Sequence, residues 1–183
     1  MTRALLVAVV FALGVAGQAQ TPTTPPAPTA QKETIEGVRN YTKVDATVGC
    51  AGATDSKALA NIAKLGYKAV LNLREATEAG ALIDESKTAA EAAGLKYIHL
   101  PFKGSAPDPK VADEFLKIVG NTDNQPIFIH CGSANRVGSL WLIKRMLVDK
   151  WPEEQAVAEA KAIGLSSDAL QKFALEYVAT HKG

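Results

Sequence analysis

Residues 126–148 constrain this chain more than any other stretch. Pro126-Ile127-Phe128-Ile129-His130 is short and almost wholly apolar, the pattern of a strand buried on both faces. Cys131-Gly132-Ser133-Ala134-Asn135-Arg136 follows at once. From Val137 to Val148 the chain is again apolar (Leu140, Trp141, Leu142, Ile143, Met146, Leu147), which reads as a helix at the centre of a core. A buried strand that passes through so short a loop into a buried helix calls for a layered α/β arrangement.

The rest of the chain fits that frame. Lys68-Ala69-Val70-Leu71-Asn72-Leu73 and Lys96-Tyr97-Ile98-His99-Leu100 read as further strands, and Val48-Gly49-Cys50-Ala51-Gly52 as the end of a first one. Helical spacing predicts helices over Ser56 to Leu65 and Glu85 to Ala93, each stopped by a glycine, Gly66 and Gly94. Pro109 to Val119 places Val111, Phe115, Leu116 and Val119 on one helix face, with Pro109 suited to a first turn after Asp108. Pro152-Glu153-Glu154 opens another helix ending before Gly164, and Ser166 or Ser167 can cap a last one through Tyr177. The expected fold is three-layer α/β, a short, mostly parallel sheet flanked by helices with the 131–136 loop at the strand-to-helix junction.

Before this domain, Met1-Thr2-Arg3 precedes an apolar run of about a dozen residues, Ala4 to Val15, well short of the roughly 18 needed to span a membrane. With Gly17-Gln18-Ala19 behind it, this is the layout of a secretory signal peptide, with cleavage expected after Ala19. The expected organisation is a signal peptide over 1–19, an extended, disordered Pro/Thr-rich linker over 20–32, and one domain over 33–183, in a periplasmic or secreted protein with no membrane span after cleavage. Twenty Lys and Arg against 19 acidic residues leave a formal charge of +1, which offers no field for nucleic acid. Affinity for an anion must then be local. Oligomeric state is not legible.

The loop supplies such a locality. Successive amides of a tight turn, with the unpaired amides that open the next helix, converge on a point that favours an oxyanion. Gly132, Ser133, Ala134, Asn135 and Arg136 are the expected phosphate-binding residues, and the same field favours the thiolate of a cysteine in Cys131's place. Arg136 presents a planar fork able to hold two oxygens of such an anion. The two cysteines, Cys50 and Cys131, form no CxxC pair, and the reading requires neither metal nor cofactor.

The strand ending in His130-Cys131, the arginine-closed loop and the following Val137-Gly138-Ser139-Leu140-Trp141 resemble the cysteine-dependent tyrosine and dual-specificity phosphatase superfamily, especially its small bacterial branch found alone or fused to lactamase-like hydrolases. Asn72-Leu73-Arg74 with Glu75 and Glu78, and Leu100-Pro101-Phe102, are similar to that branch's strand ends. The resemblance implies hydrolysis of phosphate monoesters, phosphotyrosine-like or small, through a phosphocysteine on Cys131, with Arg136 on the equatorial oxygens and an aspartate protonating the leaving group. Three departures stand beside it. Four residues, not five, separate Cys131 from Arg136, a length similar to the sulfurtransferase loop of rhodaneses. Val137 stands where a serine or threonine commonly aids phosphocysteine breakdown. No Trp-Pro-Asp lies upstream, so Asp108 is the nearest acid, and it could equally cap its helix.

Two alternatives therefore stay open: sulfur transfer through a persulfide on Cys131, and a non-catalytic phosphate or sulfate-binding module. His130 is expected to orient the loop and His99 to be structural. Arg74 and Glu78 could pair at the surface or shape the pocket. Whether Cys50 reaches Cys131 to form a disulfide is open at this stage.

Overall fold

A computed structural model describes residues 30–182. The expected signal peptide and most of the expected linker lie outside the described residues. Six strands form one sheet: β1 (Gln31–Lys32), β2 (Thr42–Lys43), β3 (Val48–Ala51), β4 (Ala69–Asn72), β5 (Lys96–His99) and β6 (Ile127–His130), in the order β1-β2-β3-β6-β4-β5. β3, β6, β4 and β5 run parallel, while β1 and β2 form an antiparallel edge. β1 falls inside the segment expected to be a disordered linker. Backbone pairing with Thr42–Lys43 needs no apolar side chain, and Lys32 secures it by donating to Asn40, to Thr42 Oγ1 at 2.7 Å and to the Ile163 carbonyl at 3.0 Å.

The helices are α1 (Leu59–Lys64), entered through a 3-10 turn at Ser56–Ala58, α2 (Ile83–Ala92), α3 (Pro109–Gly120), α4 (Asn135–Leu147), α5 (Glu153–Ile163) and α6 (Asp168–His181). Their ends obey local chemistry. Asp108 accepts from the Lys110 amide at 2.9 Å with Pro109 in the first turn, and Ser167 accepts from Leu170. Gly66, Gly94 and Gly164, just beyond α1, α2 and α5, have φ of 91°, 79° and 145°.

Alternation along the strands sorts the core into two layers. Cys50, Leu71, Ile127 and Ile129 face α3, α4, α5 and α6. Ala51, Val70 and Phe128 face α1 and α2, with Leu59, Ile62 and Ala90. Helix α4 lies between the sheet and α5 and α6, and nine of its residues, Val137 to Ile143 with Arg145 and Met146, are buried. Gly138 permits this approach, since a Cβ there would come 2.8 Å from the Ala160 carbonyl oxygen. All four parallel strands end on the side where β6 passes into α4, which gathers their loops around residues 131–136.

Candidate functional site

The loop is held from outside. The Cys131 amide donates to the Ala51 carbonyl (3.2 Å), the Ala53 amide to the Gly132 carbonyl (3.0 Å), and Asn40 Nδ2 to the Ser133 carbonyl (3.3 Å). Carbonyls drawn outward leave the amides of Gly132 and Ser133 with no acceptor among the described residues, beside the unpaired amides that open α4. That is the geometry of an oxyanion cradle. Asn135 contributes its amide and spends its side chain elsewhere, accepting from the amides of Ser166 (3.0 Å) and Ser167 (3.2 Å).

Ala134 closes the turn at φ 72°, a left-handed conformation that costs about 1–3 kcal/mol in a residue with a Cβ. Gly164 lies against it: a Cβ on Gly164 would stand 2.9 Å from that of Ala134 and 2.7 Å from Asn40 Nδ2. We expect Gly164→Ala to lose about 1–3 kcal/mol through strain at its own φ and displacement of these neighbours. Urea unfolding alongside a phosphate-binding titration should show stability and anion affinity falling together. A variant as stable and as tight as wild type would mean that Gly164 does not brace the loop.

Arg136 differs from the expectation of an open fork. Its Nη1 and Nη2 donate end-on to Glu78 Oε1 (2.5 Å) and Oε2 (2.8 Å), and Nη1 also reaches the carbonyls of Phe102 (3.0 Å) and Leu73 (3.3 Å). An end-on pair uses one hydrogen of each Nη and leaves the Nε edge for a second anion. Burial alone would lower the Arg136 value, but the Glu78 hydrogen bond and the nearby Cys131 and Glu78 charges outweigh it and push it up. Glu78 is set the other way. Burial raises its carboxyl, yet Arg136, the Glu75 amide and Arg74 together pull it down to about 2, so the clamp stays ionised until pH falls well below 4.5.

Arg74 builds the segment that carries Glu78. Buried, it donates from Nε to Glu78 (3.3 Å), from Nη1 to the Gly80 carbonyl (2.7 Å) and from Nη2 to the Ala79 carbonyl (2.6 Å). Asn72 and His99 hold the Arg74 backbone, through its amide (2.9 Å) and its carbonyl (2.8 Å). Of the two readings left open for Arg74 and Glu78, the structure shows a pair whose carboxylate is shared with Arg136.

Cys131 is 0% exposed beneath the loop, so a ligand meets its sulfur only as the groups above it move. The segment through Gly104 lies against Arg136, where a Cβ would stand 3.5 Å from Arg136 Cγ. Asp108, four residues on, is exposed and caps α3, and no contact joins its carboxylate to the loop. Cys50 pairs with Ile129, so Cys131 lies two residues further along the neighbouring strand on the same face. Diagonal neighbours stand roughly 7–8 Å apart, at or beyond the reach of a disulfide at about 7 Å; both thiols are free. Burial, then Glu159 and Asp45, push the Cys50 thiol well up, against Arg145.

His130 is 2% exposed, its ring against Phe128 (centroids 5.8 Å apart), and neither ring nitrogen has a partner. Burial, then the charges of Arg74 and Arg136, lower its pKa to about 3. Unfolded, the ring binds a proton near 6.5; folded, it does not, so the unfolded state binds more protons between these values. Stability is therefore full above about pH 6.5 and falls with pH toward 3 by up to about 1.4 kcal/mol per unit. Unfolding measured at about pH 7 and about pH 5 should show this loss in wild type and its absence in His130→Phe. An unchanged slope in the variant would assign the loss to other groups.

Lys32 and Asn40, which tie the loop to the end of α5, were not singled out from sequence. Neither belongs to a motif, and Asn40's positive φ of 54° is the only local sign of its special place. Among the described residues, no group of three His, Cys, Asp or Glu could hold a metal, and no helix is long and apolar enough to cross a membrane.

Residues 40–148 match the family model for the phosphatase-like domain of beta-lactamase hydrolase-like proteins. Two beta-lactamase hydrolase-like proteins from strains of Xylella fastidiosa are 23% identical over 125 residues, 66% of this chain and 28% of theirs. The chain thus spans little more than a quarter of the length of these curated relatives. Pseudomonas aeruginosa TpbA shares the fold at TM-score 0.65 and 19% identity, over 86% of this chain and 92% of that one. The core catalytic domain of the Saccharomyces cerevisiae PP-IP phosphatase SIW14 does so at TM-score 0.67 and 20% identity, over 79% and 88%. The chain belongs to the phosphatase-like domain family of beta-lactamase hydrolase-like proteins.

Proposed function

We propose that the protein is a cysteine-dependent phosphatase acting on phosphate monoesters. The observation that carries this reading is the loop whose Gly132 and Ser133 carbonyls are drawn outward while Glu78 holds Arg136 by its far end, leaving amides and the Nε edge for one tetrahedral anion. The Cys131 sulfur attacks phosphorus; an S–P bond forms as the ester P–O bond breaks and the oxygen leaves with a proton. Water then cleaves the S–P bond, releasing phosphate and restoring the thiolate. Two relatives support an oxyanion ligand: TpbA has been solved with phosphotyrosine and SIW14 with citrate. Val137 brings no hydroxyl to the second step, and Ser139 Oγ is engaged with the Arg136 carbonyl (2.9 Å), so breakdown of the intermediate is slow. Export rests on the Met1–Ala19 pattern.

The test offers purified protein an aryl phosphate and, separately, thiosulfate with a thiol acceptor, each beside Cys131→Ser. Phosphate release by wild type alone supports the reading. Sulfite release with persulfide formation would support sulfur transfer, and release of neither phosphate nor sulfite would leave an anion-binding module.

Asp108 is our proposed donor of the leaving-group proton, as the carboxylate at the end of the segment that crosses Arg136. Asparagine caps a helix as well as aspartate does, so Asp108→Asn separates acid from cap. We expect unchanged stability and a fall in kcat/KM of roughly 100-fold on an alkyl phosphate, whose leaving group needs a proton, with little change on a nitrophenyl phosphate. A kcat/KM on the alkyl phosphate unchanged from wild type would leave Asp108 as a cap alone.

A further inference from the structure

Ala134 keeps a left-handed φ of 72° although it carries a Cβ, and such a conformation persists only where its surroundings impose it. Two neighbours do so. Gly164 lies against its Cβ, and Asn40 holds the peptide that enters it, donating from Nδ2 to the Ser133 carbonyl at 3.3 Å. The backbone brings Asn40 there. The Arg39 amide donates to the Ala53 carbonyl (2.8 Å), the Gly52 amide to the Arg39 carbonyl (2.8 Å), and Asn40 then turns at φ 54°.

Both polar ends of the Asn40 side chain are engaged at this junction. Nδ2 also donates to the Ile163 carbonyl (3.1 Å), while Oδ1 accepts from Lys32 Nζ, which itself reaches the same Ile163 carbonyl (3.0 Å). That carbonyl ends α5, where the last four lack partners within the helix and an ammonium meets the negative end of the helix dipole. Lys32 is thus held by the helix end, and from there it fixes which way the Asn40 amide faces. On the other flank Asn135 accepts from the amides of Ser166 and Ser167, so the 163–167 segment is tied to the loop on both sides of Ala134. Lys32 and Ile163 both lie outside residues 40–148, so the brace draws on parts of the chain beyond the family match.

Lys32 and Asn40 are exposed. Water can replace such hydrogen bonds at little net cost in stability, but it would not hold the turn in one arrangement. Resting on the phosphatase reading, we propose that Asn40, aimed by Lys32, is a positioning residue for the reaction: it fixes the turn at Ser133 and Ala134, and with it the cradle and Arg136, before the phosphoryl group arrives. Strand β1, at the edge of the sheet, is thereby a working part of the site.

The test compares kcat/KM on an aryl phosphate, affinity for inorganic phosphate and the urea midpoint across variants of the full chain. Asn40→Gly accepts the positive φ and removes only the side chain, whereas Asn40→Asp keeps its shape and still accepts from Lys32 but donates to neither carbonyl. Both should lose roughly 10- to 100-fold in kcat/KM and several-fold in phosphate affinity, while the midpoint of Asn40→Gly stays near that of wild type. Lys32→Met should lose about tenfold alone and nothing further in the Asn40→Gly background. Lys32→Arg, which keeps a charged donor, should retain most of the rate. Wild-type kcat/KM and phosphate affinity in folded Asn40→Gly and Asn40→Asp, or additive losses in the double variant, would overturn the proposal. If wild type does not hydrolyse the aryl phosphate, the phosphatase reading has failed, and the phosphate affinities alone then decide whether Asn40 sets the cradle.

Discussion

Cys131→Ser is expected to lower phosphate release by a factor on the order of 10⁴ or more while leaving phosphate affinity within a few-fold of wild type. A serine hydroxyl is a far weaker nucleophile than a thiolate and cannot carry the phosphoryl group in its place at neutral pH. The cradle, by contrast, is built from backbone amides and from Arg136, whose two Nη groups are held by Glu78. Initial rates with an aryl phosphate and calorimetric titration with phosphate read the two quantities separately. Matching losses in both would mean that the sulfur shapes the cradle; an unchanged rate would remove Cys131 from the chemistry.

The largest expected loss of stability lies away from the loop. Glu159 is 0% exposed between α5 and α4, and accepts from Arg145 Nε (2.6 Å), Arg145 Nη2 (3.1 Å) and Trp141 Nε1 (2.8 Å). Arg145 lies over Trp141 and Trp151 (4.8 and 4.3 Å to the ring centroids) and reaches Asp149 and Asp45, so one carboxylate joins two helices to the turn before β3. Removing it leaves the buried Arg145 Nε and the Trp141 indole N–H without an acceptor, with Asp149 and Asp45 still on the other end of the guanidinium. Glu159→Ala should therefore cost about 3–5 kcal/mol, whereas Glu159→Ala with Arg145→Met, which removes both charges, should cost less than the single change. Urea unfolding of the two variants decides it. A single variant within about 1 kcal/mol of wild type would mean that water replaces the carboxylate.

These two predictions differ in how much of their basis shows in the sequence. The Cys131 loop is a local feature: an apolar strand, a turn and an apolar helix adjoin in the chain, so periodicity and spacing are sufficient to find it. The helix stops at Gly66, Gly94 and Gly164 are local in the same sense, each with a positive φ. Glu159 sits in a helix whose sequence, Glu-Glu-Gln-Ala-Val-Ala-Glu-Ala-Lys-Ala-Ile, gives three glutamates no visible difference. Only the close packing of α4 on α5 at Gly138 buries this one. The Glu78 clamp is equally non-local: 58 residues separate it from Arg136, and its approach depends on Arg74 winding the intervening carbonyls around itself. Strands β1 and β2 are two residues each, too short for alternation to register, and what holds β1 is the hydrogen bonding of Lys32 rather than an apolar face.

The central claim is that Cys131 carries the phosphoryl group, and acid-quenched intact-mass analysis tests it most directly. Wild-type protein turning over an aryl phosphate should show a phosphoryl adduct, which digestion places on the peptide containing Cys131. Slow breakdown beside Val137 should make it accumulate, and Cys131→Ser should show none. A sulfur adduct formed from thiosulfate with no phosphoryl adduct from the ester, or phosphate release with no adduct at Cys131 at any quench time, would contradict the account.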